Sequence, residues 1–369
     1  MEVVLDAVTV ETVRGLDGFA RLQPEWNSLF HRSAAPHQIF QSHAFLSAWA
    51  EAYANDGAEL AVVTFRLHGR LAAVIPLVRR HWLGVDVLQF MGAPVSQFDD
   101  MLVDRDVAGY VLARIPPALA ELGADLLEAR RIREDGALWR IPAGMPFVFE
   151  RMEAPFADLA ARVEDSQPGQ VYSSRDRSNY RRRLRRLGER GKLQFRSIGP
   201  GREAADLAGQ AVAMKTAALR RDGVDWETVG CSKFRDFFCR LAHDPRSGLL
   251  ISIIELDGQP IGLDLSFLCK GVGFGNVLAT DGAFDKEGLG QLLVHHVFTE
   301  AKAAGASRFD LLAPADPYKR HHSDGVTQVE SRAYAFTTKG RLAAQIGYRL
   351  VMPAARKLPR SIIRRLRGE

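Results

Sequence analysis

Apolar and polar positions alternate along nearly the whole chain, in stretches that read in turn as strands and helices. Val8 to Val13 alternates like a strand. Leu16 to Phe30 follows, with Leu22, Trp26 and Leu29 at helical spacing, and Phe45 to Tyr53 reads as a short amphipathic helix. Leu60 to Leu67 and Leu71 to Leu77 flank His68-Gly69, the pattern of a β-hairpin whose glycine supplies the positive φ of a tight turn. Val87 to Met91 and Asp125-Leu126-Leu127 read as strands. Between them, Val107 to Leu122 is helical but broken at Pro116-Pro117. Phe147 to Arg151 returns to the sheet. After a polar loop (Glu164 to Ser173) and an arginine-rich helix the pattern repeats. Leu193 to Ile198 is a strand, and Arg202 to Arg221 and Lys233 to His243 are helices. Leu249 to Leu268 is a hairpin turning at Asp257-Gly258, and a strand pair is expected near Ser331 to Thr338.

The repetition has a constant offset. The turns His68-Gly69 and Asp257-Gly258 are 189 residues apart, and the two Asp-Leu-Leu triplets at Asp125 and Asp310 are 185 apart. Two landmarks at nearly one spacing predict two copies of a single α/β domain. The second copy contains the most informative stretch, Val272 to Lys319. A strand ends in Ala279-Thr280-Asp281, a polar loop closes on Gly288-Leu289-Gly290, a helix runs to about Ala304, and a strand covers Arg308 to Leu312. This is a βαβ unit with glycines where a helix begins. There the free N–H groups and the positive dipole end can hold a phosphate. The corresponding part of the first copy, Gln97 to Asp106, has no glycine.

Length and composition narrow the class. A chain of 369 residues favours two domains, and 47% hydrophobic with 25% charged residues is ordinary for a soluble globular protein. The formal charge of +5 is unevenly spread. Arg175 to Lys192 carries +7 and Lys339 to Glu369 carries +8, which leaves −10 for the rest. An acidic body with two basic segments is not the signature of a DNA-binding protein. Cys231, Cys239 and Cys269 form no CxxC pair, so neither a disulfide framework nor a zinc site is expected, and a reducing compartment fits. Met1 to Asp6 lacks a basic leader pattern, and no apolar run reaches the roughly 18 residues of a membrane span. His321-His322 with Asp324 has no further ligands at metal-binding spacing, and no metal is expected.

The spacing Asp285-x-x-Gly288-x-Gly290 resembles the Q/R-x-x-G-x-G/A pyrophosphate loop of the GNAT acyltransferases, with Asp in place of the usual Gln or Arg. More widely, the chain resembles the CelD/BcsL-type acetyltransferases, double-GNAT proteins related in layout to the FemAB aminoacyltransferases. The matching residues are Phe40-Gln41-Ser42 with Trp49, the hairpin from Gly69 to Pro76-Leu77, the helix Arg177 to Leu187, Gly288-Leu289-Gly290, and Phe309-Asp310-Leu311-Leu312 followed by Tyr318-Lys319. The likeness spans about Phe40 to Lys319. Ala313-Pro314 stands where that family commonly has a glycine.

The resemblance implies an α/β fold with a mixed sheet, in two tandem GNAT-like (acyl-CoA N-acyltransferase) domains. These are expected at residues 1–172 (acceptor side) and 173–340 (acyl-CoA side), followed by a basic amphipathic tail at 341–369. It implies transfer of an acetyl or other acyl group from acyl-CoA to an amine or hydroxyl, in cellulose-type or other envelope polysaccharide synthesis. The donor would meet Leu278, Ala279, Gly288, Leu289, Gly290 and Gln291. Asp281 is a candidate base, Tyr318 a candidate acid for the leaving thiolate, and Lys319 a candidate for a phosphate or carboxylate. Asp281 as a loop cap and Tyr318-Lys319 as an exposed turn are the structural alternatives. Asp99 and Asp100 are candidates for the acceptor cleft.

In the arginine helix, Tyr180, Leu184 and Leu187 form one apolar stripe, and Arg181, Arg182 and Arg185 are candidates for an anionic partner. The tail, with Ile346, Leu350, Ile362 and Leu366 among arginines, suits an anionic membrane surface or a helix docked on the same chain. A cytoplasmic location is expected, with the tail as a peripheral contact to the inner membrane face. The acceptor is expected to be a small-molecule, sugar or lipid amine. Three other functions stay open: FemAB-like aminoacyl transfer with tRNA recruited by the arginine helix, N-acylation of a sphingoid base or other lipid, and a non-catalytic GNAT scaffold.

Overall fold

The computed structural model describes residues 8–53, 57–141, 146–164, 167–168, 173–224 and 227–351. Its strands are β1 (Val8–Val13), β2 (Val62–Leu67), β3 (Arg70–Ile75), β4 (Leu77–Trp82), β5 (Val85–Phe90), β6 (Leu126–Arg133), β7 (Phe147–Asp158), β8 (Leu193–Ile198), β9 (Leu249–Leu256), β10 (Gln259–Cys269), β11 (Val272–Thr280), β12 (Arg308–Asp310) and β13 (Gly325–Ala335). Its principal helices are α1 (Gly15–Arg21), α2 (Gln23–Ser33), α3 (His43–Tyr53), α4 (Ala108–Leu112), α5 (Ile115–Glu121), α6 (Ser174–Gly188), α7 (Arg202–Arg221), α8 (Ser232–Leu241), α9 (Leu289–Ala303) and α10 (Thr338–Ile346).

The duplication is visible in the backbone. The hairpin turns His68-Gly69 and Asp257-Gly258 have φ of 50°/78° and 50°/77°, and Leu83-Gly84 and Lys270-Gly271 have 48°/78° and 47°/77°. Each pair is two left-handed residues, the geometry that lets a two-residue turn follow the twist of its strands. Pro76 makes one difference between the copies. It lacks an N–H for a ladder bond, and here it separates β3 from β4. β3 stays in a small sheet with β1 and β2, while β4 enters the main sheet; in the second copy β10 runs unbroken for 11 residues.

The main sheet is continuous across both copies, in the order β8-β9-β10-β11-β12-β7-β13-β6-β5-β4, with Glu59–Leu60 at the far edge. The last strand of each copy lies in the other copy's half. β7 pairs with β12, β13 pairs with β6, and β7 and β13 pair with each other along most of their length. On one face a shared core joins the copies. The buried ring of Phe40 makes edge contacts with Phe45, Phe98, Phe267 and Phe274 at centroid distances of 5.4–6.0 Å. Lys270, at the hairpin turn of the second copy, donates to the carbonyls of Phe30, His31 and Ala34 at the end of α2.

Three expected elements differ. Leu16 to Phe30 is two helices, because Pro24 enters the first turn of α2 and cannot continue α1. The strand pair near Ser331 to Thr338 is the single strand β13, and Thr337 then caps α10 by accepting from Gly340 N at 3.0 Å. Gly340 is required there, since a Cβ would lie 1.9 Å from the carbonyl oxygen of Asp125. Phe147 to Arg151 is only the start of the 12-residue β7.

The basic tail begins docked on the body. Lys339 Nζ lies 2.7 Å from Asp125 Oδ2, an ammonium contact that holds this carboxyl down at about 2. The Tyr348 ring stacks on Phe149 at 4.1 Å. Leu342 and Ile346 face solvent, and Ile362 and Leu366 lie outside the described residues. Among the described residues, no helix is long and apolar enough to cross a membrane.

Candidate active site

In the second copy two parallel strands part company. β11 pairs with β12 only from Val272 to Phe274, and its outer half, to Thr280, is bonded on one side alone, to β10. The other bank turns away at Leu312, which has a left-handed φ of 64°. That conformation is costly for a side chain with a Cβ. Two contacts hold it: Leu312 N donates to Asp310 Oδ1 at 2.8 Å, and Lys319 Nζ donates to Leu312 O at 2.8 Å. The result is a wedge between β11 and residues 311–319. The pairing register shifts between Gly275 and Val277, leaving Asn276 as an extra residue whose buried Nδ2 has no hydrogen-bond partner. A buried amide nitrogen left without an acceptor costs roughly 1–3 kcal/mol, and this one lies on the splayed half of β11.

The outer end of the wedge is a short 3-10 turn, Gly282–Glu287, leading into α9. Asp281 caps this turn, accepting from Ala283 N at 2.9 Å. Gly288 joins turn to helix with a φ of 70°, and a Cβ there would lie 2.5 Å from Arg183 Nε. The left-handed angle favours glycine, and the flexible Arg183 side chain packs over it. A Cβ on Gly290 would meet nothing within 4 Å, so the surface over the first helical turn is open. Three guanidinium groups gather here. Arg183 covers Gly288; Arg190 binds Glu287 at 2.9 Å and lies over the Phe284 ring; Arg221 sits against Gly282, 3.5 Å from Asp285 Oδ2. Burial and the neighbouring Arg182 charge lower the Arg183 pKa. Arg183 carries the least compensated charge of the three. Asp285, the residue that departs from the pyrophosphate-loop pattern, faces Arg221.

Deeper in, the ionisable groups perturb one another. Burial lowers Lys215 of α7, against the pull of Asp222, Asp264 and Asp316. Burial also lowers Lys319, against Asp316 and Asp310, with Arg131 and Lys215 lowering it further. The two lysines thus feel each other and share Asp316. Asp264, on β10 opposite Leu278, is 3% exposed, and burial raises it to about 7, against the Ser266 hydroxyl and the Lys215 charge. A carboxyl and two amines, each shifted toward neutrality by burial, thus lie within one another's electrostatic reach.

The remaining sequence candidates are distributed as follows. Tyr318 Oη lies 3.5 Å from Gly290 O, so Tyr318 and the glycine turn share one end of the wedge. Leu278 and Ala279 lie on the splayed half of β11, and Leu289 and Gln291 in the first turn of α9. Asp99 and Asp100 are 8% and 1% exposed. Asp100 accepts from Gln38, His37 and the amides of Met101, Ala137 and Leu138, and it pins three loops together. Asp99 accepts from Arg130 N at 2.7 Å. Both carboxylates are buried and hydrogen-bonded within the first copy. Arg181, Arg182 and Arg185 lie on the exposed face of α6, Arg182 bonded to Asn179 and Arg185 near Glu189.

Arg183, Lys215, Asp264 and Asn276 were not selected from the sequence. Signals for three of them were present. Arg183 flanks the Tyr180–Leu184–Leu187 stripe, Lys215 follows Ala211 and Val212 at i+4 and i+3, and Asp264 interrupts an apolar strand. Asn276 depends on a bulge, which periodicity does not reveal.

Residues 174–320 match the family model described as an acetyltransferase (GNAT) domain, a span from the arginine helix to just past Lys319. Among solved structures, the chain is similar to FemX (TM-score 0.58, 12% identity, 85% of this chain and 99% of that one). It is also similar to L-PGS from Bacillus licheniformis (0.55, 13%, 89% and 96%). A third likeness is to the C-terminal domain (DUF2156) of a putative lysylphosphatidylglycerol synthetase from Agrobacterium fabrum (0.54, 12%, 88% and 94%). At these identities the likeness is one of fold. No curated protein sequence matches. With the duplicated topology above, the architecture is that of two GNAT-like domains in a mixed α/β arrangement, and the chain is an N-acyltransferase.

Proposed function

We propose that this enzyme transfers an acyl group from acyl-CoA to an amine or hydroxyl of a small-molecule, sugar or lipid acceptor. The wider role we propose is cell-envelope or exopolysaccharide synthesis of the cellulose type. The observation that carries the donor assignment is the Gly288 turn. It brings a helix N-terminus, an open surface over Gly290 and the Arg183 guanidinium to the mouth of a strand wedge. A pyrophosphate suits that turn, through the first amides of α9 and Arg183. The pantetheine arm suits the wedge, alongside Leu278, Ala279 and the unpartnered Asn276 amide.

In the reaction, the acceptor nitrogen or oxygen bonds to the thioester carbon, the C–S bond breaks, and one proton passes from acceptor to sulfur. Holding both partners together supplies much of the acceleration. Asp264 is tuned near neutrality and serves as the base, directly or through water. The amines of Lys215 and Lys319 offer positive charge to the developing oxyanion. Tyr318, at the glycine turn, serves as proton donor to the leaving sulfur. Asp281 holds the turn as its cap. The test is titration calorimetry with acetyl-CoA and longer acyl-CoAs, followed by a screen of envelope-derived amines. Saturable binding with thiol release on adding an acceptor supports the reading, and absence of binding across the acyl-CoA series contradicts it.

A second reading, aminoacyl transfer from tRNA, draws support from the fold shared with FemX and L-PGS and from the exposed arginines of α6 beside the wedge. Under it, aminoacyl-tRNA binds and acetyl-CoA does not.

A further inference from the structure

The first copy has a cavity of its own. Three segments border it: the chain leading into α4 with α4 itself, the chain after β6, and the helical segment ahead of the hairpin. Together they enclose about 370 Å³, within the range of pockets that take small ligands. Arg105 and Arg140 line it, both on exposed residues, and among the described residues neither has an acidic partner. Opposite is His37, 4% exposed, with Nε2 3.1 Å from Asp100 Oδ2 and Nδ1 3.9 Å from Asp135 Oδ1. Arg133 holds the carboxylate of Asp135 at 2.8 and 3.0 Å, and the same guanidinium also binds Asp310 Oδ2 at 2.6 Å. Val103 and Leu112 supply an apolar wall.

Two guanidinium groups with no acidic partner among the described residues line one cavity, and both present donors that match an anion. We propose that this cavity binds a small anionic metabolite, its phosphate or carboxylate between Arg105 and Arg140. The polar body of the ligand lies against His37 and Asp135, and its carbon skeleton against Leu112. The site lies in the other copy from the donor wedge, and Arg133 joins the two by contacting Asp135 at 2.8 Å and Asp310 at 2.6 Å.

The test uses the full chain and two probes, glycerol 3-phosphate and pyruvate, titrated by calorimetry at constant ionic strength. Arg105→Ala and Arg140→Ala remove the anion contacts from exposed residues. Leu112→Trp fills the cavity without changing charge, and Arg183→Ala reports on the wedge. The expected result is saturable binding of at least one probe, weakened about tenfold or more by each arginine variant and by Leu112→Trp, and unchanged by Arg183→Ala. The probe that binds identifies the anionic group. Three results would overturn the proposal: no saturable binding of either probe, binding that survives Arg105→Ala and Arg140→Ala combined, or binding lost in Arg183→Ala.

Discussion

The two copies place the same pair of parallel strands in the same sheet and then treat them differently. Counted from the preceding hairpin turn, β5 stays paired with β6 to the fifth residue, Gln89, whose amide bonds Glu128 Oε2 at 2.7 Å. β11 leaves β12 after the third residue, Phe274. The first pair is closed by side chains that satisfy each other. The second opens over an unpartnered Asn276, a left-handed Leu312 and two lysines held below their ordinary pKa. The scaffold occurs twice, and the copy that opens at its strand ends is the one in which we place the donor. The turn before the covering helix differs in the same sense. Gly288 lets Arg183 approach the N-terminus of a 15-residue helix in the second copy, while the first copy has only the five-residue α4.

The comparison is broken most severely at Lys319. Lys319→Met removes both a charge from the wedge and the clamp on Leu312 O. A loss of roughly 10²–10³-fold in kcat is expected, with acyl-CoA affinity changed much less. Steady-state kinetics beside calorimetry separates the two. Arg183→Glu should weaken acyl-CoA binding about 100-fold, while the matching reversal in the first copy, Arg105→Glu, leaves it unchanged. If both variants lose binding equally, the donor is not confined to the second copy.

Asp264→Asn sharpens the acid–base contrast through pH. The folded carboxyl titrates at about 7, against an ordinary value near 4, so the folded state holds its proton longer than the unfolded chain does. Stability therefore falls as pH rises from about 4 to about 7, and it stays lower above that. Asp264→Asn should flatten this slope in thermal unfolding while lowering kcat/KM about 10–100-fold and removing its ionisation near 7. Loss of stability across all pH values, with the ionisation kept, would make Asp264 a structural residue only. The smallest effect is at Asp285. Asp285→Gln frees Arg221 from its 3.5 Å partner and should tighten acyl-CoA binding by about two- to fivefold. An unchanged affinity would mean that Arg221 does not face the donor.

Much of this architecture was legible in the sequence, for definite reasons. The hairpins announced themselves through His68-Gly69 and Asp257-Gly258, because two left-handed residues admit few alternatives. Gly288 was legible because its left-handed φ of 70° favours glycine. The exchange of β7 and β13 was not, since strand partners far apart in sequence leave no local trace. The burial of Asp99 and Asp100 was not legible, because exposed carboxylates and buried hubs have the same letters. Burial and five hydrogen bonds to Asp100 distinguish them only in three dimensions. Asp264 and Lys215 were readable in principle as charges on apolar faces, but their mutual influence spans two elements.

Amide hydrogen exchange with and without saturating acetyl-CoA tests the central claim most directly. The account predicts slowed exchange at residues 276–280 and 282–294 of the second copy, with residues 85–90 and 103–112 of the first copy unaffected. Protection centred on the first copy, or none in the Gly288 turn, would contradict it.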